Sequence, residues 1–234
     1  MREIRFAVKN TIPIFFTYLF IGIAYGVMMS GAGCSVALTA ASSLFIYAGS
    51  LQLALVPLMK AGASLASLAV LAFFINARHL FYGIGFIERF RAMGWRRPYM
   101  IFALTDETYS VLCSLQTEEG LDGHRAAFLI ALLNHCYWVL GSTAGACAGT
   151  FLPFDARGIE FSATAFFLVV VVNRWRTCRS RLPFLIAGVC ALVFLLLLGR
   201  DGFLIPTLAA STLALVLLRG PIERREEKGV RPDA

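Results

Sequence analysis

Apolar residues run along this chain in blocks of about 20, separated by short polar intervals. Blocks of that length match the hydrocarbon thickness of a bilayer. About eight recur, at approximately residues 11–30, 35–56, 65–87, 98–116, 126–149, 158–173, 183–199 and 203–218. The pattern predicts an all-α fold, a polytopic transmembrane helix bundle of about seven or eight membrane segments, some of them broken or re-entrant. Residues 1–218 are expected to form a single transmembrane domain, and the charged tail 219–234, RGPIERREEKGVRPDA, to be solvated and disordered. Two segments deviate from the pattern: the fourth carries Asp106 and Glu107 near its middle, and the sixth is short.

Composition agrees with the blocks. Of the 234 residues 59% are hydrophobic and only 15% charged, and the mean hydropathy is +0.74, which leaves little for a soluble domain. The excess of 21 Lys and Arg over 14 acids reads as an orientation signal rather than a nucleic-acid patch, because the aromatics between these bases lie in the apolar blocks. With eight spans and the N-terminus inside, about fourteen bases fall on the cytoplasmic side and about six outside, Arg78 lying within a span. One loop objects: ERFRAMGWRR, 88–97, carries four arginines and falls outside. Either the rule fails locally or one of the first three segments is a re-entrant hairpin, and the break at Ala48-Gly49-Ser50 makes the second the candidate. Segments one to three and four to six are candidate inverted-topology units, with almost no internal sequence identity.

Met1 to Ser30 reads as an uncleaved first helix. Gly31-Ala32-Gly33-Cys34 lacks the bulky aliphatic three residues before the Cys that a lipoprotein cleavage site carries. Cys34, Cys113, Cys136, Cys147, Cys178 and Cys190 show neither CxxC pairing nor metal-ligand spacing and read as packing residues. No metal or cofactor site is predicted. The chain has no zinc motif, phosphate loop, dinucleotide fingerprint or recognisable nucleophile with a base, so it reads as no enzyme and cannot hydrolyse ATP itself.

A charge at mid-bilayer is costly and faces a partner or a wet cavity, which makes the polar residues inside the apolar blocks the candidate site. The third segment carries Asn76, Arg78 and His79 within INARHLFYGIG, the fourth Thr105, Asp106 and Glu107, and the fifth Asn134 and His135. At 100° per residue Asn76, His79 and Gly83 share one helix face and Arg78 and Tyr82 another. Asp106 and Glu107 cannot point at one spot, so one of them is expected to pair with Arg78 and the other to meet a translocation path. Two plainer readings stand beside this. Residues 105–107 can be a helix start inside the membrane capped by Thr105 or Asp106, and Arg78 with His79 can lie near a membrane edge. Gly22 and Gly26, and Gly141, Gly145 and Gly149, form GxxxG stripes that predict close helix packing, or else backbone left open beside a ligand. Gly49, Ser50 and Gln52 in YAGSLQ, 47–52, interrupt a helix with hydrogen-bonding side chains.

In order and spacing, GIAYG, YAGSLQ, NARHLFYG, LTDETY, NHCYWVLGSTAG and GIEFSATAFF resemble the AzlC family of branched-chain amino acid permeases, the large subunit of LIV-E type exporters. The likeness runs over roughly residues 8–200. Matched positions are Gly22, Gly26, Gly49, Ser50, Gln52, Asn76, Arg78, His79, Thr105, Asp106, Glu107, Trp138, Gly141 and Gly145, while His135 and the cysteines are peculiar to this chain. The resemblance implies a multi-pass bacterial inner-membrane secondary transporter that exports leucine, isoleucine and valine, with methionine and azaleucine-like analogues, driven by protons. It also implies a small AzlD-like membrane partner of about four helices. Substrate contacts are expected from Gly49, Ser50, Gln52, Asn76, Asp106, Glu107 and Trp138, and proton coupling or charge pairing from Arg78, His79, Asp106 and Glu107. Helix packing is assigned to Gly22, Gly26, Gly141 and Gly145. Phe45, Phe74, Phe81 and Tyr109 are candidate pocket aromatics. The alternatives are export of another small amino acid or metabolite, a passive channel, or a membrane scaffold that transports nothing.

Overall fold

The first apolar block and its basic leader form one helix, α1 (Arg2–Gly31), in a computed structural model that describes residues 2–115, 120–151, 161, 164–165, 168–169, 171–172, 175–176, 181–218 and 220. Regular structure among these residues is helical, without a strand. They fall into two compact units, one drawn from 1–63 and 75–164 and the other from 64–74 and 165–234.

The frame of the first unit is α1 against the long helix Gly123–Phe151, called α9 in chain order below. Asp122 starts α9: its Oδ1 accepts from the N–H groups of Arg125 at 3.1 Å and His124 at 2.9 Å, which hold its carboxyl below the usual carboxylate range. The two helices run parallel, because Thr11 meets Tyr137, at the middle of α9, and Ser30 meets Thr150 near the ends of both. Between these points they touch backbone to backbone. A Cβ on Gly141 would lie 2.8 Å from Tyr18 O and one on Gly22 3.0 Å from Ser142 N; one on Gly26 would overlap Ser142 O, and one on Gly145 would overlap Ile23 O. The glycine stripes therefore serve packing. The alternative of open backbone beside a ligand fails at all four positions, since the opposing main chain fills the space.

The second and fourth apolar blocks do not cross the membrane. Ser35 caps α2 (Val36–Phe45) by accepting from Leu38 N–H. A break at Ile46–Ala48 follows, with the buried Tyr47 at φ +45°, and then α3 (Gly49–Lys60). Ser42 of α2 and Gln52 of α3 both lie at the level of Tyr25 and Trp138, while Tyr47 between them lies nearer the start of α9, stacked on His135 at 4.3 Å. The chain enters from the end where α1 finishes, reverses at Tyr47 and returns.

The third block is α4 (Leu65–Asn76) and α5 (Arg78–Ile84), together a 20-residue run, Leu65–Ile84, long enough to cross. It leads to α6 (Ile87–Arg91) and a 3-10 turn, Gly94–Arg96, whose Trp95 and Arg96 lie against Phe128 near the start of α9. From there α7 (Arg97–Phe102) climbs beside α9, with Tyr99 at Phe128 and Phe102 at His135. After a break at 103–105, α8 (Asp106–Ser114) descends, Tyr109 stacking on Tyr82 and Leu112 O accepting from Arg89. This second hairpin enters from the opposite end to the first, and the two meet where Tyr47 and Phe102 pack at 6.1 Å.

The second unit contains α10 (Leu182–Gly202), interrupted at Gly199 by φ +70°, and α11 (Leu204–Leu217), which pack together. Four helical runs among the described residues are long and apolar enough to cross a membrane: Arg2–Gly31, Leu65–Ile84, Gly123–Phe151 and Leu182–Gly199. The protein is thus an all-α, multi-pass membrane protein in which two of the expected segments are hairpins. Nine of the 16 residues of the sixth expected segment, 158–173, and all of the tail, 219–234, but 220 lie outside the described residues, as does Cys178. The remaining five cysteines carry no disulfide, and none is buried: Cys113 and Cys136 are exposed, the others half-buried. They are not interior packing residues. A lipid-facing surface is as apolar as a core and accepts the same small side chain.

With the first hairpin not crossing, Arg89, Arg91, Arg96 and Arg97 fall on the side of Arg2, Arg5 and Lys9, and the objection raised by residues 88–97 disappears. The inverted units differ from the expected ones. In chain order, the hairpin of α2 and α3 precedes the run Leu65–Ile84, and the oppositely entering hairpin of α7 and α8 precedes Gly123–Phe151, each run long enough to cross.

Two measurements check this arrangement. In a cysteine-free background, Trp95→Cys is expected to label with a membrane-impermeant maleimide from the same side as the N-terminus, and Ala61→Cys from the other; three crossings before residue 88 would give the reverse. Gly26→Val and Gly145→Val are expected to lower the melting temperature in detergent sharply, at an overpacking cost of about 3 kcal/mol or more, while Gly188→Ala, with open space around it, leaves it nearly unchanged.

Candidate functional site

In each hairpin the second helix begins inside the membrane. A helix start leaves N–H groups without intrahelical acceptors and carries a partial positive charge. The start of α3 holds no acid in its first turn, whereas that of α8 holds Asp106 and Glu107. Arg78, at the head of α5, joins the two: Nη1 lies 2.7 Å from Asp106 Oδ2, and Nη2 donates to Ser50 Oγ at 2.9 Å. Arg78 therefore turns toward the two helix starts. Both charged side chains remain about one-third accessible, at 35% and 30%. Each also keeps a buried polar atom without a partner, Arg78 Nε and Asp106 Oδ1, and so does Asn76 through Oδ1.

Glu107 points elsewhere, as two neighbours on a helix must. Tyr18 O–H donates to Glu107 Oε2 at 2.7 Å and lies 2.9 Å from Thr105 Oγ1. Thr105 caps α8 by accepting from Thr108 N–H, and Asn134 Nδ2 donates to Thr108 Oγ1 at 3.1 Å. The helix start at 105–107 and the Arg78–acid pairing are thus both present.

A third cluster ties the first hairpin to α9. Gln52 Oε1 accepts from Trp138 Nε1–H at 3.0 Å and from Ala48 N–H at 3.1 Å, so one side chain caps the start of α3 and anchors it. Trp138 is stacked on Tyr25 and meets Tyr18 edge-on, and a Cβ at position 49 would lie 3.1 Å from its ring, a tight contact. Tyr25 O–H and Ser42 Oγ close the cluster at 2.8 Å. Gln52 and Trp138 are each 2% exposed, placed to hold the hairpin tip rather than to face an open space.

His79 contacts Asn76 O through Nδ1 at 3.1 Å. It borders a cleft of about 260 Å³ lined otherwise by apolar residues, among them Leu80, Ile84, Phe90 and Leu104, with Arg97 at its rim. Among the aromatic candidates, Phe45 and Phe81 point outward, 75% and 72% exposed, Tyr109 stacks on Tyr82, and Phe74 belongs to the second unit. Sequence reasoning did not pick out Tyr18, Tyr47, Ser42 or Thr108. Hydroxyls inside apolar blocks were the available signal, and only the two reversals bring Ser42 to Tyr25 and Thr108 to Asn134.

Two hairpins of opposite entry, with their inner helix starts joined by one arginine, define a membrane protein of the kind that places discontinuous helices around a central site. Residues 13–152 match the AzlC protein family, and the chain belongs to that family. The match spans α1 to α9 and every site residue above. A branched-chain amino acid transport protein, AzlC of Bacillus subtilis, is 33% identical over 95% of this chain and 87% of its own length. Membrane proteins of Helicobacter pylori J99 and Haemophilus influenzae are 34% and 37% identical, over 95% and 93% of this chain and 98% and 89% of theirs. No solved structure matches the chain.

Replacing Gln52 with Leu keeps the volume and leaves two buried N–H groups without their acceptor. The expected loss is about 1 to 3 kcal/mol, read as a lower melting temperature in detergent together with a shift in the Trp138 fluorescence maximum.

Proposed function

We propose that this chain is the large subunit of a secondary transporter that exports branched-chain amino acids, leucine, isoleucine and valine, with methionine and azaleucine-like analogues, across the bacterial inner membrane. It works with a small AzlD-like subunit of about four helices and is driven by protons. The observation that carries this reading is Arg78 bridging the inner ends of two oppositely entering hairpins. Such a point is reachable from either face if the hairpins move in turn, which is what alternating access requires. The printed name of the Bacillus subtilis relative supports the substrate class. The apolar cleft beside His79 suits a branched side chain by its size and lining.

Within this reading the two acids divide the work. Asp106 is held by Arg78, whereas Glu107 accepts from Tyr18 O–H and meets no cation at ion-pair distance among the described residues. Glu107 is therefore the group that takes and releases the coupling proton, with Tyr18 orienting it. In vesicles holding the chain and its partner, Glu107→Gln is expected to retain counterflow of labelled leucine while an imposed pH gradient no longer drives net flux. Undiminished gradient-driven transport in that variant removes Glu107 from coupling, and absence of leucine counterflow in the unaltered pair removes the transport reading.

A further inference from the structure

The ion pair between the hairpins is incomplete in a consistent way. Arg78 engages both terminal nitrogens and leaves Nε unbonded. Asp106 uses Oδ2 and leaves Oδ1, and Asn76 leaves Oδ1 two residues from Arg78. A buried polar group without a partner is unfavourable, and one on each member of the same ion pair marks groups that await a ligand or a rearrangement. The surroundings are polarised as well. The start of α3 beside Arg78 offers N–H groups and a hydroxyl with no acid nearby in its first turn, and the start of α8 carries two carboxylates.

We propose that the Arg78–Asp106 pair is the empty form of a zwitterion site, and that substrate enters by splitting it. The ligand's carboxylate takes Arg78 and Ser50 Oγ at the start of α3; its ammonium takes Asp106, whose Oδ1 is unbonded in the empty form. One opposite charge replaces another on each partner, so the exchange leaves no uncompensated charge in a medium of low dielectric. A ligand bearing only one of the two charges must break the pair and strand the other member. The site then selects against an acid or an amine of the same carbon skeleton through this pair, not through its apolar pocket. The hairpin starts, tied together by Arg78 in the empty form, are tied through the ligand in the loaded form. This assignment rests on the transport reading above.

The test measures ligand-induced thermal stabilisation of the chain purified with its small partner subunit, using L-leucine, 4-methyl-2-oxopentanoate and 3-methylbutylamine. The unaltered chain is expected to respond to leucine and to neither fragment. In Asp106→Asn the guanidinium is free of its competitor, so affinity for the oxo acid rises about tenfold while leucine weakens by about as much. Arg78→Gln shows the mirror image, a gain for the amine. Melting of each variant without ligand shows whether it is folded, and a reversal in either folded variant supports the exchange. Loss of leucine binding in both with no gain for either fragment assigns the pair a structural role and overturns the proposal. No response of the unaltered chain to leucine overturns the transport reading on which it stands.

Discussion

A main chain interrupted inside hydrocarbon has no water to satisfy it, and each unpaired group there costs several kcal/mol. Two helices of this protein are interrupted in that way, at 46–48 and at 103–105, and the structure follows from how the interruptions are covered. Both are shielded by α1 and α9, and each is capped by a side chain: Gln52 returns to Ala48 N–H, and Thr105 accepts from Thr108 N–H. The shield exists because Gly22, Gly26, Gly141 and Gly145 let two helices approach until their main chains touch, which fixes the register of Tyr18, Tyr25, Asn134, His135 and Trp138 facing the hairpins.

Covering a break with protein rather than lipid also makes polar chemistry tolerable there. Once the starts of α3 and α8 are inside, their N–H groups and dipoles form a weakly positive environment at membrane depth. Asp106 and Glu107 are stabilised at one start, and Arg78 finds Asp106 there and Ser50 at the other. The three polar clusters differ in completeness. The Gln52–Trp138 cluster is dry and satisfied and reads as architecture, whereas the Arg78–Asp106 cluster is partly accessible and keeps unbonded atoms. Function is assigned to the unsatisfied cluster for that reason. The opposite entry of the hairpins gives it a structural neighbour toward each membrane face.

The sequence by itself determined the solvent and the class of structure. Blocks of about 20 apolar residues can only be helices in lipid, so an all-α membrane protein followed from hydropathy alone. It also marked Asn76, Arg78, His79, Asp106 and Glu107, because a charge inside such a block is costly enough to need a reason. The spacing of glycines announced close packing, and the spacing of 106 and 107 announced that the two acids part company. The conflict between the arginines of 88–97 and an odd count of crossings left two readings, a local failure of the charge rule or a re-entrant segment broken near residue 48.

What only the tertiary structure decided is which groups meet. Hydropathy is blind to direction: a block that enters and returns has the same composition as one that crosses, so the second hairpin, at 103–105, looked like a span with two acids in it. Partner choice depends on contacts far apart in sequence, such as Tyr18 with Glu107 or Gln52 with Trp138, whose local context is ordinary apolar helix. The choice of Asp106 over Glu107 for Arg78 was equally closed to the sequence, since both lie in the same first turn. It was settled by how α8 is seated, with Thr108 on Asn134 of α9 and Glu107 on Tyr18 of α1.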